Sequence, residues 1–523
     1  MKVSTKDGNE LAGRRDPWDY LLALLLVLCV GRLWLMPLPS SFWTDEFATT
    51  FLVRYGPSHP SFAVAPQVPH SIYYWLPQGV DALFGFSEVA YRLPSVLLMG
   101  MTLFLVARLA RRLIHPRAAW FAVFACLAMP GFNFQAANAK YHALGACIGA
   151  ASFVFLIRWL DSARWRYALL YLLFAALLWR VHLLYWPLYI VFAFYSLVRL
   201  IRSETSVKWI HLAAVFSMLS LALLPVVFNA LALLPEARAH VVVPLPTFAD
   251  LLRELQLWLI MLLGFCALLW GAVHLEKSER AACRPSLDSW IFILGFWLIL
   301  PLCLFGYSLL TGISIFVDRY MLVGLPAAAL LTSALVGLFL PVKNWKGAAA
   351  ILAAGLLLIL GGWRTLWPLH ASQEDWRAAA QRVNEIAVDP DMPVVFPSPY
   401  IEAQPPTWRP DYPLPDWLYA PLSVYPISGK PLLFPIIRSS EAELFATHLS
   451  SETLSRSRQF LIYGGKSQTQ FWRKWFARKP EFARWTHRSL GPFGSIDVVL
   501  FEKGPAHVLT SSSGAAWVEK HPR

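Results

Sequence analysis

The chain has 523 residues, of which 57% are hydrophobic and 15% charged, with a formal net charge of +13. A soluble globular domain carries about 25% charged residues, so the composition excludes an ordinary soluble protein and indicates an integral membrane one. The positive balance does not indicate a nucleic-acid partner, because the basic residues form short clusters between apolar runs rather than a basic soluble module.

Residues 1–17 form a basic N-terminus that leads into the first apolar run. That run is long for a signal-peptide core and lacks an A-x-A site, so it reads as a retained helix. A spanning helix needs about 20 mostly apolar residues. Eleven segments qualify: 18–38, 90–110, 117–135, 141–160, 166–179, 181–200, 209–232, 253–275, 289–310, 320–341 and 347–367. Only "RVH" (180–182) divides the fifth from the sixth. The six cysteines lie in or beside these segments, and no CxxC pair occurs, so neither a zinc site nor a disulfide framework is signalled.

Loop charges orient the segments. With the N-terminus inside, the inside loops hold Lys2, Lys6, Arg14, Arg15, Arg108, Arg111, Arg112, Arg117, Arg158, Arg164, Arg166, Arg199, Arg202, Lys208, Lys277, Arg280, Arg284, Lys343 and Lys346. The outside segments before residue 370 hold only Arg54, Arg92, Lys140, Arg180, Arg238, Arg253 and Arg319. This asymmetry places the N-terminus in the cytoplasm. Eleven spans then put residues 371–523 outside, together with a first outside loop, 39–89, that is too long for a plain connector.

After residue 370 the pattern changes. "SQEDWRAAAQRVNEIAV" reads as a helix with a Ser372–Asp375 capping box, and "SEAELFATHLSSETL" as another with Ser440 and Glu443 in that role. "MPVVF", "KPLLFPII", "RQFLIYGG" and "SIDVVLFEK" read as strands, and "TQFWRKWFA" as a further helix. The alternation predicts a small α/β domain over 371–504, interrupted by a Pro- and aromatic-rich loop, 403–426, with Trp408, Tyr412, Trp417 and Tyr419. Those rings offer flat faces for a sugar, or pack the small domain. Residues 505–523 read as a disordered end.

The first outside loop begins "SFWTDEFATT" (41–50), with Asp45 and Glu46 just past the first span. Locally, these are acids in the first turn of an interfacial helix, where they suit the helix dipole. The loop ends "VPHSIYYWLPQGVDALFGFSEVAYRLPSVLLMG" (68–100), with interfacial aromatics, Arg92 as an anchor and Pro94 at a helix start. "AKYHALGACIGAASFVFLIRWLD" (139–161) and "DRYMLVGLPAAALL" (318–331) each open a span with a basic-Tyr pair at its head.

Taken in order, these words resemble the polyprenyl-phosphate-sugar-dependent glycosyltransferases of the GT-C fold. That group includes protein O-mannosyltransferases, lipid A aminoarabinose transferases and Rgt-type galacturonosyltransferases. The resemblance covers residues 18–200 and resumes at 318–331. It implies a polytopic α-helical membrane protein, of about eleven helices, with a small extracytoplasmic C-terminal α/β domain, in the bacterial inner membrane with its site on the periplasmic side. The donor would be a sugar on a polyprenyl phosphate, and the acceptor a lipid, glycan or protein. Asp45 takes the place of the family's general base, with Glu46 orienting it or holding a cation; the resemblance admits a divalent metal ion without requiring one, and no other cofactor is expected. An anionic leaving group needs cations to bind it. Lys140 and Arg319 fall on family motifs and are expected to hold the phosphate, joined by Arg92 and Arg180. Where the family has His-Pro-Pro before Tyr-Tyr-Trp, this chain has "VPHSIYYW", which puts His70, Tyr73 and Tyr74 in the substrate pocket with Tyr141 and Tyr320. A single in-line displacement would invert the sugar carbon.

A nucleotide-sugar donor is not expected, because no G-x-G-x-x-G opens a strand–helix unit. A transporter or lipid-sugar flippase is the main alternative. It predicts paired halves with internal repeats, and none stands out. A non-catalytic scaffold leaves the ordered DE, YYWL, RLPS and RY words without a role.

Overall fold

The computed structural model describes residues 16–239, 243–274, 284–360, 372–404, 408–409, 415–436 and 439–504. They form two compact units: one reaching Arg377 and including 414–424, the other comprising 378–413 and the residues from Tyr425 onward. The expected disordered tail, 505–523, and most of the N-terminal 1–17 lie outside the described residues.

The first unit is helical throughout. Its helices in chain order are α1 (Pro17–Val30), α2 (Thr44–Tyr55), α3 (Trp75–Phe84), α4 (Glu88–Leu113), α5 (Ala119–Leu127), α6 (Pro130–Ala136), α7 (His142–Ser162), α8 (Trp165–Val181), α9 (Pro187–Ile201), α10 (Trp209–Ala239), α11 (Phe248–Glu254), α12 (Leu257–His274), α13 (Leu287–Thr311), α14 (Leu325–Phe339) and α15 (Trp345–Gly355). Among the described residues, eight helices are long and apolar enough to cross a membrane. Two further pairs bend too sharply to count as single rods: α5 with α6 at 80°, and α11 with α12 at 55°. Together these account for ten of the eleven expected segments. The remaining one is α8, whose 17 residues reach about 25 Å at 1.5 Å per residue, the short end of the spanning range. The bend after α5 is held by Asn133, whose amide donates to the Leu127 carbonyl at 2.7 Å and accepts from the Trp34 indole at 2.9 Å.

α7 is among the most enclosed of these helices, and its composition explains why. "ALGACIGAAS" presents small residues that let neighbours approach closely. A Cβ on Gly149 would lie 3.0 Å from a Val323 methyl, and one on Gly145 would strike the Tyr185 ring. α4 begins at Glu88, six residues before Pro94, with the Ser87 hydroxyl accepting the Ala90 N–H at 3.1 Å. Pro94 is therefore inside the helix rather than at its start; the long apolar packing surface of α4 outweighs one lost backbone bond.

The second unit is a five-stranded mixed sheet of order β2-β1-β3-β5-β4. Its strands are β1 (Pro393–Pro397), β2 (Lys430–Phe434), β3 (Gln459–Gly465), β4 (Trp485–Ser489) and β5 (Ile496–Lys503). β1 pairs with β2 and β3 in parallel, while β5 runs antiparallel to β3 and β4. β4 is an edge strand whose last four residues are exposed and polar, which hides it from a hydrophobicity pattern. Helix α18 (Ser440–Glu452) is capped by Ser439, not Ser440: its hydroxyl accepts the Ala442 N–H at 3.1 Å. Between the units' ranges runs α16 (Trp376–Ile386), and α17 (Ala420–Val424) belongs to the first unit.

Candidate active site

The site is built around the first turn of α2. Asp45 and Glu46 are consecutive in sequence, and the helix sends them to different environments. Glu46 is fully buried. Its two oxygens meet the Arg92 guanidinium, with Nε to Oε1 at 2.8 Å, and accept the N–H groups of Ala139 at 2.6 Å and Trp43 at 3.2 Å. Arg92 is also fully buried and spends its remaining donors on the chain before α2, including the carbonyls of Leu38 at 2.8 Å, Ser40 at 2.7 Å and Ser41 at 3.0 Å. This is a satisfied internal pair that fixes the loop entering α2.

Asp45 is partly open. Its Oδ2 faces the Arg319 guanidinium at 3.2 Å, and its side chain is 25% exposed. Arg319 and Tyr320 are placed by a 3₁₀ run, Asp318–Gly324, at the head of α14. Lys140 comes from the short connection between α6 and α7, which is sewn to α2 by three bonds. The Trp43 indole donates to Asn138 Oδ1 at 2.8 Å, the Thr49 hydroxyl to the Ala139 carbonyl at 2.7 Å, and Ala139 N–H to Glu46. Lys140 is almost completely buried, and among the described residues its Nζ has no hydrogen-bond or ion-pair partner, only the Tyr141 ring at 5.5 Å. Burial pushes its ammonium down to about 8; Asp45 opposes that shift and Arg319 adds to it.

Behind these charges sits a cluster of aromatic rings. His182 stacks on Tyr141 at 4.9 Å and meets Tyr320 at 4.6 Å and Tyr185 at 5.4 Å. Its Nδ1 accepts the Leu184 N–H at 3.1 Å. An imidazole whose Nδ1 accepts a hydrogen bond is neutral, so His182 is not a third cation. Among the described residues, four buried polar atoms around this connection have no partner: Gln135 Oε1, Asn138 Nδ2, His142 Nδ1 and Tyr185 Oη.

Residues 68–228 match a family model described as dolichyl-phosphate-mannose-protein mannosyltransferase. The whole fold aligns with solved structures of ArnT from Cupriavidus metallidurans over 92% of this chain. The undecaprenyl phosphate-bound form aligns at 15% identity and a TM-score of 0.51, covering 97% of that chain. The apo form aligns at 13% identity and 0.52, covering 98%. The chain has the GT-C fold. No curated protein matches the sequence.

Within the GT-C fold the expected site residues separate. Asp45, Lys140, Arg319, Tyr141 and Tyr320 gather at one place, with Tyr74 buried beside them. Tyr73 is also buried, its hydroxyl 3.5 Å from that of Ser95, whereas Trp75 is 73% exposed. Arg92 is corrected from phosphate ligand to internal clamp, because every one of its donor nitrogens is already used. Glu46, expected to orient Asp45 or to hold a cation, is the partner of Arg92 in that clamp. Engaged by Arg92 and two N–H groups, it is not available as a metal ligand, and among the described residues no group of three or more His, Cys, Asp or Glu side chains is placed to hold an ion. Arg180 donates to the Ala222 carbonyl of α10 at 3.2 Å, and no bond joins it to Asp45 or Arg319. His70 is exposed at the end of a single 3₁₀ turn. In the aromatic loop, Trp417 and Tyr419 are buried, and Trp417 packs on Phe51 at 6.0 Å and Phe62 at 5.7 Å, so neither ring is an open sugar platform. Trp408 is buried against Phe445 at 5.4 Å, and Tyr412 lies outside the described residues.

His142, His182 and Asn138 were not picked out from the sequence. Each lies next to a motif residue or in the break "RVH", but only the fold shows that His182 sits between Tyr141 and Tyr320.

Proposed function

We propose that this protein is a membrane glycosyltransferase that moves a sugar from a polyprenyl-phosphate donor to an acceptor at the extracytoplasmic face of a bacterial inner membrane. The observation that carries the reading is the arrangement at α2. A partly open carboxylate, Asp45, is held beside Arg319 and near a buried Lys140 that lacks an anionic partner.

In this mechanism Arg319 and Lys140 bind the donor phosphate. The acceptor hydroxyl oxygen attacks the anomeric carbon while Asp45 takes its proton. The bond from that carbon to the phosphate oxygen breaks, and its electron pair stays on the phosphate, where the two cations stabilise the charge. One displacement gives inversion. The orphaned polar atoms of Gln135, Asn138 and His142 suit the hydroxyl groups of a sugar. The similarity of residues 68–228 to a mannosyltransferase family model, and of the fold to an ArnT that binds undecaprenyl phosphate, supports the donor class. No step requires a metal ion.

The test is turnover by purified protein in detergent, using a panel of radiolabelled undecaprenyl-phosphate sugars with lipid A and core-oligosaccharide extracts as acceptors. Asp45→Asn keeps the shape and removes the base, and loss of a general base costs about 10²–10⁴ in rate. An acid that merely suits the helix dipole contributes only about 0.3–1 kcal/mol to stability. Near-normal transfer by a well-folded Asp45→Asn protein refutes the assignment.

A further inference from the structure

We infer that Glu374 is a positioning residue for the transfer reaction: it caps the helix that carries Asp45 from 330 residues downstream and so fixes the direction in which that carboxylate points. The inference rests on the reading of Asp45 as the base.

A helix start leaves its first N–H groups without partners inside the helix. The usual remedy is Ser, Thr, Asp or Asn at the position before the first turn. In α2 that position is Trp43, whose indole carries no acceptor and has already given its own N–H to Asn138. The cap comes from elsewhere. Glu374 Oε2 accepts the Thr44 N–H and the Thr44 hydroxyl, each at 2.7 Å, and the Trp376 indole N–H at 2.8 Å. A carboxylate at this end also meets the positive pole of the helix.

The residues around Glu374 make the contact a strap rather than an isolated bond. The Ser372 hydroxyl accepts the Glu374 N–H at 3.1 Å. Trp376 is fully buried, edge-on to Phe47 of α2 at 5.9 Å. Arg377 donates its N–H to the Ser41 hydroxyl at 3.2 Å, and its guanidinium reaches the Pro39 carbonyl at 3.0 Å and the Glu88 carboxylate. The stretch 39–47 is thus held from two sides, by Arg92 through Glu46 and by 372–377 through Thr44. Asp45 lies between these two anchors. The inner anchor holds α2 against the bundle, and the outer one holds its first turn closed. Without Glu374 the Thr44 amide loses this charged acceptor, the first turn loosens, and Asp45 no longer keeps a fixed bearing on Arg319.

Misplacing a reacting group by about 1 Å costs about 10²-fold in rate. In the transfer assay, Glu374→Ala is therefore expected to lower kcat by about 10–100-fold with donor KM unchanged. Glu374→Gln keeps an oxygen for Thr44 and is expected to restore most of kcat. Wild-type kcat in Glu374→Ala overturns the inference. A fall in kcat matched by weaker donor use and a lower unfolding midpoint, with no rescue by Gln, makes Glu374 a merely structural residue and overturns it equally. Asp45→Asn measured alongside separates the two levels. An active Asp45→Asn enzyme refutes the base assignment, whereas an inactive one paired with a fully active Glu374→Ala refutes the strap alone.

Discussion

Replacing Arg92 by Met keeps most of the length and apolar stem of the side chain and removes its charge. In the structure this leaves Glu46 fully buried with only the N–H groups of Ala139 and Trp43, and strips the Leu38, Ser40 and Ser41 carbonyls of a donor. Breaking a buried pair by removing one partner costs about 3–5 kcal/mol, chiefly because the other charge is stranded. Removing both charges leaves no charge stranded, so Glu46→Gln is expected to cost less in the Arg92→Met protein than in the wild type, with a coupling of about 1–3 kcal/mol. The assay is a double-mutant cycle on unfolding midpoints in detergent, with donor KM measured on each protein that folds. If Arg92→Met unfolds at the wild-type midpoint and instead raises donor KM, Arg92 is a phosphate ligand and the clamp is wrong. Strictly additive effects of the two substitutions refute the pair as well.

Lys140 gives a pH signature. Its cation is present below about 8 and lost above it, so kcat/KM for the donor should decline as pH rises past about 8. Lys140→Gln should lower donor use and abolish that limb; a limb that survives the substitution belongs to another group. Gly145→Ala places a methyl group against the Tyr185 ring, which touches His182. It should cost about 1–3 kcal/mol in stability, relieved by Tyr185→Leu in the same chain, and an unchanged unfolding midpoint would show that α7 tolerates more space there. Reporter fusions after residues 115, 205, 282 and 344 should report cytoplasm, and those after 60, 245 and 400 the outside, as the loop charges require. A cytoplasmic signal at 400 would refute the orientation assigned to the second unit.

Much of the architecture is legible in the chain itself, because a bilayer imposes a length and an apolar composition that leave a direct mark on sequence. Every apolar run from 18–38 to 347–367 contains helix in the described residues, and "DE" and "RY" each hold one partner of an ion pair, Asp45 and Arg319. Four of the five strands also declared themselves through short buried runs; β4 did not, because an exposed edge strand carries no hydrophobic signature. What tertiary structure alone decided is how charges are shared. Nothing local distinguishes Asp45 from Glu46, or Arg92 from Arg319. Their roles follow from which cation the fold brings to which acid: Arg92 reaches Glu46 across 46 residues, and Arg319 reaches Asp45 from the head of α14. The cap on Thr44 comes from Glu374, 330 residues away, so no window of sequence around α2 contains it. Periodicity records which face of an element is buried, whereas an ion pair or a borrowed cap depends on distances between elements, and those exist only once the helices have packed.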